Sequence, residues 1–178
     1  MWSVDVFRKL AVIGKSVWYW LMLVLLGLAF ESVALFYQHV LDELPCVLCI
    51  HVRILMLVLI LISLAAVFVR SFQWLNATAH LLTVLVGALL LERSYQLLGT
   101  ERGFTFGDCG MDLGLPSWLA LDSWFPAVFQ VQTTCGYTPE LLFGISMAEA
   151  LIVFSPLFLL FTLAMTLASF MRNKNYNK

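Results

Sequence analysis

Charge is what this chain has least of. Only 12% of its 178 residues are Asp, Glu, Lys or Arg, and ten basic against eleven acidic side chains leave a net charge of −1. That balance argues against a nucleic-acid partner, which needs a basic face to neutralise phosphates. Histidine is scarce too. There are three, and no histidine pair completes a ligand set with the cysteines, which disfavours a zinc site. The chain has no internal repeat and no low-complexity tract, and its length suits one compact unit rather than two sizeable domains.

What it has in excess is apolar surface. Hydrophobic residues make up 62% of the chain and the mean hydropathy is +0.93, against about 45–50% apolar residues in soluble proteins. Four apolar stretches stand out, at about 17–36, 50–69, 74–92 and 146–170. Each approaches or exceeds the ~20 residues a helix needs to cross a ~30 Å hydrocarbon core. The expected fold is an all-α membrane protein, a four-helix transmembrane bundle forming a single domain over 1–178, with two loops on one side at about 37–45 and 93–145. Arg8, Lys9 and Lys15 precede the first stretch as in a signal peptide, but it is longer than a signal's ~7–15 apolar residues and no small-residue cleavage site follows. It reads as a retained span. Trp18, Tyr19 and Trp20 at its start and Phe36 and Tyr37 at its end fit aromatic belts at the two interfaces.

Lys and Arg set the orientation. Arg8, Lys9, Lys15, Arg70, Arg172, Lys174 and Lys178 fall on one side, while Arg53, Arg93 and Arg102 fall on the other. The positive-inside rule makes the first side, with both termini, cytoplasmic. All four cysteines then belong to the outer side: Cys46 and Cys49 end the short loop, and Cys109 and Cys135 lie in the long one. An even count in an oxidising compartment favours disulfides, but four cysteines allow three connectivities and spacing does not choose among them. Residues 115–129 of the long loop carry Trp118, Leu121, Trp124, Phe125 and Phe129 with Asp122 the one charge. Such a segment reads as a short interfacial helix on the membrane surface, or as a loop packed on the bundle.

The cysteines carry the chemistry. Pro45 suits the first turn of the second helix, which places Cys46 and Cys49 at a helix N-terminus, where the dipole favours a thiolate. Cys49 and Arg53 are i and i+4, about 6 Å apart on one face, so Arg53 can stabilise charge on Cys49 or on an acceptor beside it; alternatively it is an interfacial charge snorkelling outward. Glu31, about one turn from the outer end of the first span, is either a carboxylate reaching the headgroups or a proton-handling acid beside a ligand. His80 and Glu149 read as packing or interface groups. Purely structural disulfides remain an alternative, although a bridge across two residues closes too small a loop to stabilise much. The reading that uses all four cysteines is a relay, in which Cys109–Cys135 meets a soluble thiol and Cys46–Cys49 meets a lipid-soluble electron acceptor.

These motifs resemble the disulfide bond formation protein B (DsbB) family. The likeness rests on Phe30-Glu31-Ser32 through Gln38-His39-Val40, on Pro45-Cys46-Val47-Leu48-Cys49 with Arg53, and on Trp118-Leu119, Leu121-Asp122, Trp124 and Pro126. His51 and Val52 stand where its best-known members carry an aromatic and an acidic residue. The resemblance implies a bacterial inner-membrane enzyme that reoxidises a periplasmic DsbA-type thiol oxidase with a membrane quinone, ubiquinone or menaquinone. It further implies that the partner attacks Cys109, that Cys135 is released and engages Cys46, and that Cys49 is left as a thiolate in charge-transfer contact with the quinone, supported by Arg53. Met147 matches a position lining the quinone pocket, and Glu31 an acidic position of the first helix.

Overall fold

The computed structural model describes residues 10–105, 109–141 and 144–176, with side chains to residue 170. Arg8, Lys9 and Lys178 lie outside the described residues, as do the side chains of Arg172 and Lys174. Four long helices carry the chain: α1 (Val17–Val40), α2 (Val47–Val69), α3 (Gln73–Arg102) and, after the long loop, α6 (Met147–Tyr176). All four are long and apolar enough to cross a membrane. α1 packs on α2, α2 on α3, and α3 on α6. Leu25, Phe68, Trp74, Leu85 and Leu160 are exposed on their outer faces, as lipid-facing side chains are in a bundle whose surrounding solvent is hydrocarbon.

Local chemistry sets the ends. Ser16 caps α1, its hydroxyl accepting from the Trp18 amide at 3.3 Å. Gly103, at φ 73°, closes α3 in the left-handed conformation that glycine adopts without a Cβ clash. α6 opens with a capping box: the Ser146 hydroxyl accepts from the Glu149 amide at 3.2 Å and the Glu149 carboxylate from the Ser146 amide at 3.1 Å. α1 and α2 approach closely at Gly27, where a Cβ would stand 2.6 Å from Ile60.

The helices overrun the apolar stretches. α2 starts at Val47 with Cys46 as its N-cap, so Pro45 lies just before the helix rather than in its first turn. α3 continues ten residues past the expected end at 92, because Glu92, Arg93, Gln96 and Glu101 are sound helix formers although they are not membrane-soluble. The long loop therefore begins at 103, not 93. Its aromatic segment forms a 3₁₀ turn at Ser117–Leu119 and two single-turn helices, α4 (Leu121–Trp124) and α5 (Pro126–Phe129). Pro126 interrupts what would be one helix by excluding Phe125 from helical geometry (φ −133°, ψ 65°). Trp118, Trp124 and Phe125 stay exposed, whereas Phe129 is buried.

Two buried clusters result. The first, along the helices, gathers Trp20, Met56, Leu59, Leu90, Phe158 and Met165. At the end away from the cysteines His80, fully buried, bonds the Gly14 carbonyl at 3.1 Å, and Arg70 bonds that of Lys15 at 3.3 Å. The second lies under the long loop and packs Cys46, Leu48, Ile50, Leu97, Phe129 and Val131 together.

A candidate thiol relay beside an apolar cavity

As the N-cap of α2, Cys46 accepts the Cys49 amide on its sulfur at 3.4 Å, and the two sulfurs stand 2.8 Å apart. This is local geometry, a cap and the first turn bringing i and i+3 together. Cys135 arrives from far along the chain. The Pro45 carbonyl accepts from the amides of Gln132 at 3.0 Å and Thr133 at 3.4 Å, and Cys46 forms a parallel bridge with Thr133. That pairing brings Cys135 onto the start of α2, where its thiol hydrogen-bonds Cys46 and meets the Leu48 amide. Cys109 in turn hydrogen-bonds Cys135. The four sulfurs form one chain, Cys109 to Cys135 to Cys46 to Cys49.

The protons along it have a direction. The thiol of Cys135 donates to Cys46 and by itself lowers the Cys46 pKa, but donation onward to Cys49, together with burial, pushes Cys46 up to about 12. Donation to Cys46, then burial, holds the Cys135 thiol above the ordinary thiol range. The donated hydrogen bonds therefore run in one direction, from Cys135 through Cys46 to Cys49.

Cys49 opens onto a cavity of about 410 Å³ between α1, α2 and α6, and Glu31, Arg53 and Met147 line it as well. Phe30 and Phe154, with ring centroids 4.7 Å apart, form an aromatic wall. Arg53 does not snorkel outward. It is 6% exposed and turns toward α1, where it donates to the Gln38 side chain, to the Ala34 carbonyl at 3.0 Å and to the Val128 carbonyl of α5 at 2.8 Å. Glu31 presents a buried carboxyl oxygen with no hydrogen-bond partner. Met147, at the start of α6, donates its amide to the Pro139 carbonyl at 3.0 Å.

Three features escape sequence reasoning. Gln38 fastens Arg53 and also donates to the Ala127 carbonyl at 3.3 Å; its place in the Gln38-His39-Val40 motif and its register with Glu31, two turns along α1, are the sequence signals for it. His51, between the α2 landmarks, bonds the Leu113 carbonyl at 3.1 Å and so ties the long loop to α2. Glu101 accepts from Thr138 at 2.5 Å and from Ser146 at 3.1 Å, and Arg102 pairs with Glu149. Together these hold the segment after Cys135 against the outer ends of α3 and α6.

Four membrane-length helices with four cysteines in one chain of contacts at one end define a multi-pass membrane protein suited to thiol–disulfide chemistry. The family model for disulfide bond formation protein DsbB matches residues 16–165, and the chain belongs to that family. Among its relatives, disulfide bond formation protein B of Shewanella loihica is 32% identical over 135 residues, covering 75% of this chain and 79% of the relative. That of Vibrio parahaemolyticus is 31% identical over 153 residues, 83% and 84% of the two chains. That of Psychromonas ingrahamii is 29% identical over 177 residues, 97% and 94% of the two. Membership makes this chain a thiol oxidoreductase of disulfide formation.

Proposed function

We propose that the protein regenerates disulfides in a periplasmic DsbA-type thiol oxidase and passes the two electrons to ubiquinone or menaquinone in a bacterial inner membrane. Both termini lie in the cytoplasm and the cysteines on the periplasmic side, a topology supported by the distribution of Lys and Arg. One observation carries the reading: the sulfur chain from Cys109 to Cys49 ends at the cavity lined by Arg53, Glu31 and Met147.

In the oxidised protein two disulfides, Cys109–Cys135 and Cys46–Cys49, are in place. A thiolate of the reduced partner attacks Cys109, forming a mixed disulfide and releasing Cys135 as a thiolate. Cys135 attacks Cys46, forming the Cys46–Cys135 disulfide and leaving Cys49 as a thiolate facing the cavity. The partner's second thiolate resolves the mixed disulfide, so the partner leaves oxidised and its two electrons rest on the pair of thiolates, Cys109 and Cys49. Arg53 offsets the charge on Cys49 from the same helix face.

The cavity fits a quinone. Its walls are mostly apolar and partly aromatic, as a quinone ring requires, and the unpartnered Glu31 oxygen and the Arg53 guanidinium are groups able to meet its two ring oxygens. Cys49, Arg53, Met147 and Glu31 would hold it. When bound, a quinone supplies an acceptor for two electrons and two protons.

The test is quinone reduction driven by a reduced DsbA-type protein, with each cysteine replaced in turn by serine. Stoichiometric quinone reduction that is lost with Cys109→Ser is the expected result. If the Cys109→Ser variant turns over its partner normally, the order of the relay is wrong. No quinone reduction by the unaltered chain would leave a thiol carrier that hands electrons to another protein.

A further inference from the structure

The cavity beside Cys49 shares a wall with a second pocket. Gln38 and Leu44 line both, and the second, about 290 Å³, is completed by His39, Asp42, Gln130 and Gln132, all exposed. Gln38 is buried at the neck between them, its carbonyl oxygen accepting from Arg53 and its amide donating to Ala127. His39 donates to the same Ala127 carbonyl at 3.1 Å. Asp42, at φ 54°, is the one non-glycine residue of positive φ among those described. It stands where the chain leaves α1, a strained position of the kind that persists when surrounding structure holds it.

Reaction balance gives this neck something to do, on the quinone reading of the first cavity. Oxidising the partner's dithiol releases two electrons and two protons into water outside the membrane; reducing a quinone to its hydroquinone takes up two of each. The electrons pass through sulfur. The two protons need a wet route into a cavity with apolar walls. We infer that the polar pocket at Gln38 is that route, a water-filled entry through which protons pass from His39 and Asp42, by the Gln38 neck and Arg53, toward Glu31 and the cavity. Glu31 and Gln38 are seven residues apart on one stripe of α1, about 10 Å along the axis, and Arg53 reaches across between them. The ionisable groups facing this route are Glu31, Tyr37, His39, Asp42 and Glu43 from α1 and its turn, Cys49 and Arg53 from α2, and Tyr137 from the loop. The loop segment over the polar pocket contributes the neutral Gln130 and Gln132, and α6 contributes the uncharged Met147, Ala150, Leu151 and Phe154.

Gln38 acts here as a positioning residue, keeping the neck polar and open. The test uses the full chain in lipid nanodiscs with a short-chain ubiquinone as acceptor and a reduced DsbA-type protein as donor. Gln38→Leu is expected to slow quinone reduction on the order of tenfold or more, as loss of assisted proton transfer does. A solvent deuterium isotope effect should appear, and Cys46–Cys135 formation should proceed at its usual rate. Because Gln38 also touches Arg53, Gln132→Leu and His39→Leu, which alter only the polar pocket, should change the rate and the isotope effect in the same direction. A second readout needs no quinone: a nitroxide on Ala34→Cys, in the chain with its four cysteines replaced by serine, should show deuterium modulation in D₂O that Gln38→Leu removes. If the variants change neither the isotope effect nor the deuterium signal while the unaltered chain reduces quinone, the proton route is overturned and the quinone reading stands. If the unaltered chain fails to reduce quinone, the quinone reading falls, and the nitroxide signal alone decides whether water reaches the cavity.

Discussion

Cys46 and Cys49 owe their 2.8 Å contact to one helix start, whereas Cys135 meets Cys46 only because residues 132 and 133 pair with Pro45 across the fold. Cys46, 1% exposed, belongs to a packed cluster with Leu48 and Ile50, and the half-buried Cys49 and Cys135 pack against it; Cys109 lies half-buried in the loop. A pair held by helix geometry persists through small movements of its surroundings. A contact held by two backbone hydrogen bonds can be broken and remade. That difference suits a donor pair that exchanges with a soluble protein and an acceptor pair that holds its position beside a cavity.

Removing one sulfur from each pair should break the comparison most severely. Cys135→Ser should lower partner-driven turnover on the order of 10³-fold or more, as loss of a nucleophile does, while Cys46–Cys49 remains open to direct reduction by a small dithiol. Equal loss with both donors, read from quinone absorbance, would mean that the two pairs are not separate units. Next in size is Arg53→Gln, which replaces charge-assisted hydrogen bonds worth about 1.5–3 kcal/mol. The apparent KM for quinone should rise about tenfold, and an unchanged KM and rate would leave Arg53 only an anchor between α2, α1 and α5. Gln132→Pro deletes one of the two amides bonded to Pro45. At about 1 kcal/mol for one hydrogen bond it should slow Cys46–Cys135 formation about fivefold with no effect on quinone KM; an unchanged exchange rate would detach loop pairing from the relay.

The smallest effect is on pH dependence. The Cys46 pKa is raised to about 12 from an ordinary 9.0. Its protonated form therefore stabilises the reduced protein fully below pH 9, and that contribution is lost as the pH climbs from about 9 to about 12. Iodoacetamide labelling of Cys46 in the reduced protein should accordingly keep accelerating about tenfold per unit through and beyond pH 9, where an ordinary thiol levels off. A labelling midpoint near 9 would contradict the hydrogen-bonded chain of thiols.

How much of this was legible in the sequence follows the same divide between local and distant. The four spans are visible because a membrane helix must be apolar along its whole length, and the shared face of Cys49 and Arg53 follows from the helical repeat. The overrun of α3 to Arg102 is hidden, since beyond the bilayer a helix no longer needs apolar residues and Arg93, Gln96 and Glu101 read as loop. Pro126 is visible, yet its effect, two single turns in place of one interfacial helix, depends on Phe125 being forced out of helical geometry. The contact between Cys135 and Cys46 has no signature in spacing. Gln38 is visible in the motif at the end of α1, but its burial at the wall of two pockets depends on Arg53 and on the arrival of α5 from eighty-odd residues away.

The central proposal is that electrons enter at Cys109, cross from Cys135 to Cys46, and leave Cys49 facing the cavity. The most direct measurement mixes the oxidised chain with one equivalent of a reduced DsbA-type protein without quinone, quenches in acid, alkylates, and maps the disulfides by mass spectrometry. The account predicts the partner joined to Cys109, a Cys46–Cys135 disulfide, and Cys49 as the alkylated thiol. A partner joined directly to Cys46 or Cys49, or a Cys109–Cys135 bond that survives intact while the partner is oxidised, would contradict it.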